Sequence, residues 1–251
     1  RAMIAAILKR ELRAFFRPSF FVVVALASVY FGLYFYSILL QYANLSSQVS
    51  QGSASLNYID NLMVPYFSSI NFVLLIICPL LSIRLFSEEY KQNTFELLLS
   101  SPLSSWQIVL GKYLAACLTI TAILLLAMSY LLSSLFLIDL SWLHILCSVV
   151  GLILLSYIYL AIGLFASSLT SSVILAGFIS IVLCLTLWLL TIFRVNQDGS
   201  YVMLIQELWL GTHLMAFLRG GPDIKALVIY SSHIFFFLFL CQQVVESHRW
   251  R

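Results

Sequence analysis

The sequence predicts an all-α, polytopic membrane protein with six transmembrane helices, and three observations carry that reading. Of the 251 residues 62% are hydrophobic and only 9% are charged, against about 25% charged in a soluble domain. So few charges cannot cover a water-facing surface of this size, and a mean hydropathy of +1.03 points to lipid as the main solvent. The apolar runs are continuous rather than alternating, so barrel strands are excluded and helices remain as the way to pair every backbone group in lipid. The third observation is that Lys, Arg, Asp and Glu gather between the runs and leave their middles empty.

The expected spans are Phe20–Tyr42, Leu62–Phe86, Ile108–Ile138, Trp142–Ser168, Val173–Phe193 and Ile224–Val245. Each reaches the roughly 20 residues needed to cross about 30 Å of hydrocarbon. The short connectors at 139–141 and 169–172 make spans three, four and five antiparallel neighbours. The first run follows a charged segment and lacks a small-residue cleavage site, so it reads as a span and not as a cleavable signal.

Ahead of it, Ile4, Ile7, Leu8, Leu12, Phe15 and Phe16 recur at helical spacing, with Lys9, Arg10, Arg13 and Arg17 between them. The pattern predicts an amphipathic interfacial helix within residues 1–19, its basic side toward lipid phosphates. With the N-terminus in the cytoplasm, ten of the thirteen Lys and Arg residues fall on the inner side, which places both termini there. The segment 44–61 is then external and polar.

Between spans two and three lies residues 87–107, the densest run of charge. Asn93 is placed to reverse the chain through a left-handed turn. Thr94-Phe95-Glu96-Leu97-Leu98-Leu99 has the pattern of a short amphipathic helix, which Ser100-Ser101-Pro102 ends. Ser104 and Gln107 form a capping box that launches the third span, with Lys112 at the membrane border. On the outer side, 195–223 holds two short apolar pieces, Tyr201–Leu210 and Leu214–Arg219, separated by Gly211-Thr212-His213. Neither can span, so they read as re-entrant outer helices broken at Gly211. Glu207, Gly211 and His213 are the candidate outer gate.

The chemistry excluded is as informative. Lys112 follows Gly111 as in a phosphate-binding loop, but Trp106 stands where the first glycine belongs and Tyr113 where Ser or Thr belongs. No charged residue sits mid-span to serve a proton relay. The five cysteines, Cys78, Cys117, Cys147, Cys184 and Cys241, lie inside apolar runs with no CxxC, so neither disulfides nor a metal site is indicated. A net charge of +3 with no basic-aromatic patch points away from nucleic acid. Serines and histidines in the spans leave an intramembrane Ser/His enzyme as an alternative, and a structural membrane anchor of a surface machine as another.

At the 87–107 segment the chain resembles the transmembrane subunits of type-2 ABC transporters. Glu88-Glu89, Lys91, Thr94, Glu96, Leu98-Leu99, Pro102-Leu103-Ser104, Trp106, Ile108 and Gly111-Lys112 follow that family's pattern. So do Pro79 and Arg84-Leu85-Phe86 upstream, Lys9-Arg10-Glu11-Leu12 near the start, and His213, Phe217, Arg219-Gly220 and Asp223 near the end. The gliding-motility permease subfamily is the nearest in pattern. Asn93 departs from the usual glycine, and Gly221-Pro222 departs from the usual apolar residue.

The resemblance implies a single transmembrane domain over 1–251 in the inner membrane of a bacterium, and an exporter permease with no catalysis of its own. It implies an ABC ATPase subunit docked on Glu88, Glu89, Asn93, Thr94, Glu96, Leu98, Leu99 and Pro102. ATP and Mg would be bound by that partner, with no cofactor on this chain. It further implies a second permease copy or paralogue, and admits a periplasmic or accessory partner.

Overall fold

Helix boundaries follow local signals in the sequence. The computed structural model describes residues 7–12, 18–49, 57–95, 104–133, 142–189, 210–221 and 223–249. Residues 7–12 are helical. Helix α1 runs Pro18–Val49 and opens on proline, whose fixed φ suits a first helical turn. A π-helical turn, Ile59–Met63, leads into α2, Val64–Ser82. Ile83 separates α2 from α3, Arg84–Lys91. Then come α4, Ser105–Ser133, α5, Trp142–Leu169, α6, Val173–Leu189, α7, Leu210–Leu218, and α8, Ile224–Arg249. The described residues contain helix and no strand.

The capping box is formed as the sequence predicts. Ser104 N–H donates to Gln107 Oε1 at 3.2 Å, and Gln107 N–H donates to Ser104 Oγ at 3.4 Å. Ser172 and Asp223 play similar parts ahead of α6 and α8, accepting from Leu175 N–H and Lys225 N–H, each at 3.5 Å.

Helix α5 is the centre of the bundle. It packs against α2, α4, α6, α7 and α8, and Gly151, Leu155, Tyr159 and Ala166 along it are buried. Hydroxyls tie the helices together where polar partners would otherwise be orphaned. Tyr66 donates to the Ala127 carbonyl at 2.7 Å, Tyr113 to the Tyr157 carbonyl at 3.1 Å, and Tyr159 to Asn71 Oδ1 at 3.1 Å. Ser82, Ser148, Ser156, Ser167 and Ser168 bond back to carbonyls of their own helices. The outer helices differ: Phe21, Leu26, Leu33 and Tyr36 on α1, and Val228, Phe235 and Phe236 on α8, are exposed. Such faces suit hydrocarbon and not water.

Five stretches among the described residues are long and apolar enough to cross a membrane: Phe21–Ser47, Ile59–Lys91, Ser105–Leu132, Trp142–Leu169 and Ile224–Arg249. The expected fifth span appears as α6, apolar but 17 residues within the described part. The chain is a multi-pass membrane protein.

Two expectations need correction. The helix of the first span does not stop near Tyr42, because α1 continues through the polar residues to Val49. No Gly or Pro interrupts it there, and the Ser46 and Ser47 hydroxyls fold back to donate to the carbonyls of Ala43 and Asn44 at 2.8 Å. Gly211 does not break the outer segment either, since α7 runs through Gly211, Thr212 and His213. A helical glycine costs about 1 kcal/mol relative to alanine, and burial of Leu210, Leu214, Phe217 and Leu218 on one face outweighs that.

Candidate functional site

The stretch Ile59–Lys91 is 33 residues long, or about 50 Å of helix. That exceeds a hydrocarbon core of about 30 Å, so α3 is available to project past the membrane. It is amphipathic. Leu85, Phe86 and Ser87 are buried, and Ser87 Oγ donates to the Ser167 carbonyl at the end of α5, at 3.1 Å. The opposite face carries Arg84 and Glu88, an exposed i,i+4 pair 3.7 Å apart.

The helix ends on Asn93, at φ 53°, the one described non-glycine residue with positive φ. Asn93 N–H donates to the Tyr90 carbonyl at 3.3 Å and Thr94 N–H to the Glu89 carbonyl at 3.0 Å. This pair of bonds closes the last turn around a left-handed residue. The left-handed Asn turn expected from the sequence is therefore present. Gln92, Asn93 and Thr94 are exposed. Beneath them Phe95 is buried against Tyr90, with ring centroids 4.6 Å apart, and Phe86 completes the cluster.

Glu89 does not face outward with Glu88. Its Oε1 accepts from Arg10 at 2.6 Å and lies 2.9 Å from Lys112 Nζ. Lys112 is enclosed by protein: its side chain is 1% exposed. Its Nζ also reaches the Leu85 carbonyl at 2.5 Å and Glu11 Oε1 at 3.2 Å, and it sits 5.1 Å from the centre of the Phe86 ring. Arg10 bonds Glu11 at 2.8 Å as well. Burial pushes the Glu11 carboxyl up, but Lys112 and Arg10 outweigh it and hold it below its ordinary value. Two cations and two anions thus balance. Arg10 spends its guanidinium on Glu11 and Glu89 while its side chain stays 54% exposed. On the other flank, Ser105 Oγ donates to Glu246 near the end of α8, and His248 packs on Tyr90 and Phe95.

Of the sequence-predicted contact residues, Asn93, Thr94 and Glu88 are at the exposed tip or flank and Glu89 is inside. Glu96, Leu98, Leu99 and Pro102 lie outside the described residues. The charge network escapes a local reading of the sequence because its bonded partners lie up to 101 positions apart. The only local signal for it is the i,i+4 spacing of Ile7 and Glu11.

At the other end of the bundle α7 lies against α5, with edges on α2 and α6. Phe217 fills the space left by Gly151, where a Cβ would lie 2.6 Å from its own Cβ. Tyr230 stacks on Phe217 at 5.9 Å and donates to the Leu210 carbonyl at 2.9 Å. His213 is half-buried beside Tyr230, edge to face. Gly220, at φ +75°, ends the helix and lets His144 approach where no side chain would fit. Glu207 lies outside the described residues.

No curated protein matches the chain. The family described as ABC-2 family transporter protein matches it over residues 5–218, from the N-terminal helix to the end of α7. That stretch includes every candidate span but the last, Ile224–Arg249, together with the α3 tail with its Asn93 turn and the charge network beneath it. The chain therefore belongs to the ABC-2 transporter family, as a membrane-embedded permease subunit of an ABC transporter.

Proposed function

We propose that this chain is one half of a dimeric, ATP-driven exporter permease, with a separate ABC ATPase docking at the turn after α3. The observation that carries this reading is the Asn93 turn. It is exposed at its tip, capped by two backbone bonds, and seated on the Phe86–Tyr90–Phe95 cluster. A rigid tip on a helix that projects past its span can transmit displacement, where a loose loop would absorb it. The ATPase would bind and hydrolyse ATP with Mg, and the permease would bind no cofactor. Glu88, Thr94, Glu96, Leu98, Leu99 and Pro102 would form the contact, with Glu89 holding the turn from within.

In this reading α6 completes a sixth crossing and α7 is a re-entrant element at the outer mouth. Both termini are cytoplasmic in a bacterial inner membrane, and a second copy or a paralogue covers part of the exposed apolar surface. The two subunits would rock between inward-open and outward-open arrangements. By its sequence pattern the chain would fall with the gliding-motility permease subfamily.

The test is co-purification of the ATPase with tagged full-length chain from native membranes. Glu96→Lys with Leu98→Asp is expected to leave membrane insertion intact and to abolish recovery of the ATPase. Undiminished recovery with the double variant would place docking elsewhere.

A further inference from the structure

Ile7 and Glu11 lie one helical turn apart, on the same face of the N-terminal helix. Both are buried. They meet two consecutive residues of α4. A Cβ on Gly111 would lie 3.0 Å from Ile7 Cγ2 and 3.2 Å from Ile7 Cβ, so the missing side chain is what lets the two helices touch. Next to it, Lys112 Nζ binds Glu11 Oε1 at 3.2 Å, Glu89 Oε1 at 2.9 Å and the Leu85 carbonyl at 2.5 Å. An ammonium has three donors, and three acceptors surround this one, from two different segments of the chain.

We propose that Gly111-Lys112 is a dock for the N-terminal helix, with Lys112 as the positioning residue that makes this helix, α3 and α4 one mechanical body. Resting on the permease reading above, the dock carries a push at the Asn93 turn into α4 and into the N-terminal helix together. The argument is one of connection and charge. Glu89 is four residues from Asn93, and its own carbonyl caps the turn, so the turn cannot shift without moving the carboxylate that Lys112 grips. Removing the lysine would leave Glu11 and Glu89 with Arg10 alone, whose side chain is 54% exposed. Two partly desolvated carboxylates sharing one wet cation would separate.

The test uses full-length chain in native membranes with Ile7→Cys and Gly111→Cys together. Their Cβ atoms fall close to disulfide range, while Cys78, Cys117, Cys184 and Cys241 are buried away from a competing reaction. Mild oxidation should cross-link this pair rapidly. Adding Lys112→Met should slow the cross-link at least about tenfold. Glu11→Gln, which keeps Lys112 on Glu89 and Leu85, should slow it by a smaller factor and serves if the methionine variant fails to fold.

Lys112→Met alone should also lose recovery of the ATPase, and forming the cross-link in that variant should restore it. Equal cross-linking with Lys112→Met and Glu11→Gln as without them would overturn the dock. A formed cross-link that leaves ATPase recovery lost would show that the lysine does not act by holding the helix. If the parent cross-links as expected but recovers no ATPase, the coupling role falls and the dock alone stands, which separates this failure from that of the permease reading.

Discussion

Tyr90 and His248 stack obliquely, their ring centroids 5.2 Å apart, so the last helix of the chain ends on the same aromatic cluster that seats the Asn93 turn. The N-terminal helix reaches the other side of α3 through Arg10 and Glu89. The tail of α3 is therefore held between the first and last described segments of the chain. Among the described residues its tip, Lys91 to Thr94, is exposed. An element gripped on its sides and bare at its end is suited to receive force along its axis.

Asn93 sets the shape of that tip. Its φ of 53° suits Asn and Gly, whereas a β-branched side chain there is a steric outlier. Asn93→Gly should retain ATPase recovery and thermal stability. Asn93→Val should cost about 1–2 kcal/mol and weaken ATPase recovery, because relief of the clash opens the bonds from Asn93 and Thr94 to the Tyr90 and Glu89 carbonyls. Detergent-solubilised thermal unfolding and pull-down together check it. A valine variant equal to wild type in both would mean that the turn is not left-handed in the membrane.

Acid should release the N-terminal helix, and the sign follows from Glu11. Burial pushes its carboxyl up, but Lys112 and Arg10 outweigh that and hold it below its ordinary value. A carboxylate with a lowered folded value contributes stability that is fully present above its unfolded value and is lost as pH falls through the folded one. The dock should therefore be unchanged from pH 8 to about 5 and loosen only below about 4.5. Amide exchange over residues 7–12, corrected for the intrinsic pH dependence, should show this step. Glu11→Gln should remove it. Loosening centred near pH 6.5 would assign the switch to a histidine instead.

Much of this was legible in the sequence because it is local. Ser104 and Gln107 are three residues apart, and the left-handed Asn93 lies between a charged helix end and an apolar restart. The helix interiors follow from uninterrupted apolar runs. What escaped was either long-range or a matter of outcome between competing terms. Lys112 looks like a border residue by position, since its partners Glu11, Leu85 and Glu89 come from elsewhere in the chain. Glu88 and Glu89 look alike in sequence, yet one faces out and the other in, a distinction set by where Lys112 lies. Gly211 reads as a break, but four buried side chains on α7 outweigh one glycine. The tail of α1 reads as an external polar segment, yet with no Gly or Pro to interrupt it the helix runs on to Val49.

The seat of α7 gives the last prediction, and it turns on Gly151. A Cβ there would lie 2.6 Å from Phe217 Cβ and 2.7 Å from its Cγ, both next to the backbone of α7, where a rotamer change gives no relief. Alanine is the better helix former by about 1 kcal/mol, so on α5 alone Gly151→Ala would stabilise. A loss of stability therefore isolates the contact with α7. We expect Gly151→Ala to lower the unfolding temperature and to displace α7 from α5. Thr212 on the exposed side of α7 reports the displacement: Thr212→Cys should react faster with an impermeant maleimide added from outside when Gly151→Ala is present. Phe217→Ala should not bring the rate back down, because it keeps the Cβ that clashes most closely and removes the ring that stacks on Tyr230. If α7 lines the outer mouth, the same cysteine should also change its rate when the ATPase is trapped with ATP. Constant reactivity in both nucleotide states would remove the gating role while leaving the packing intact. A Gly151→Ala variant as stable as wild type, with unchanged labelling, would mean that Phe217 does not sit on Gly151 at all.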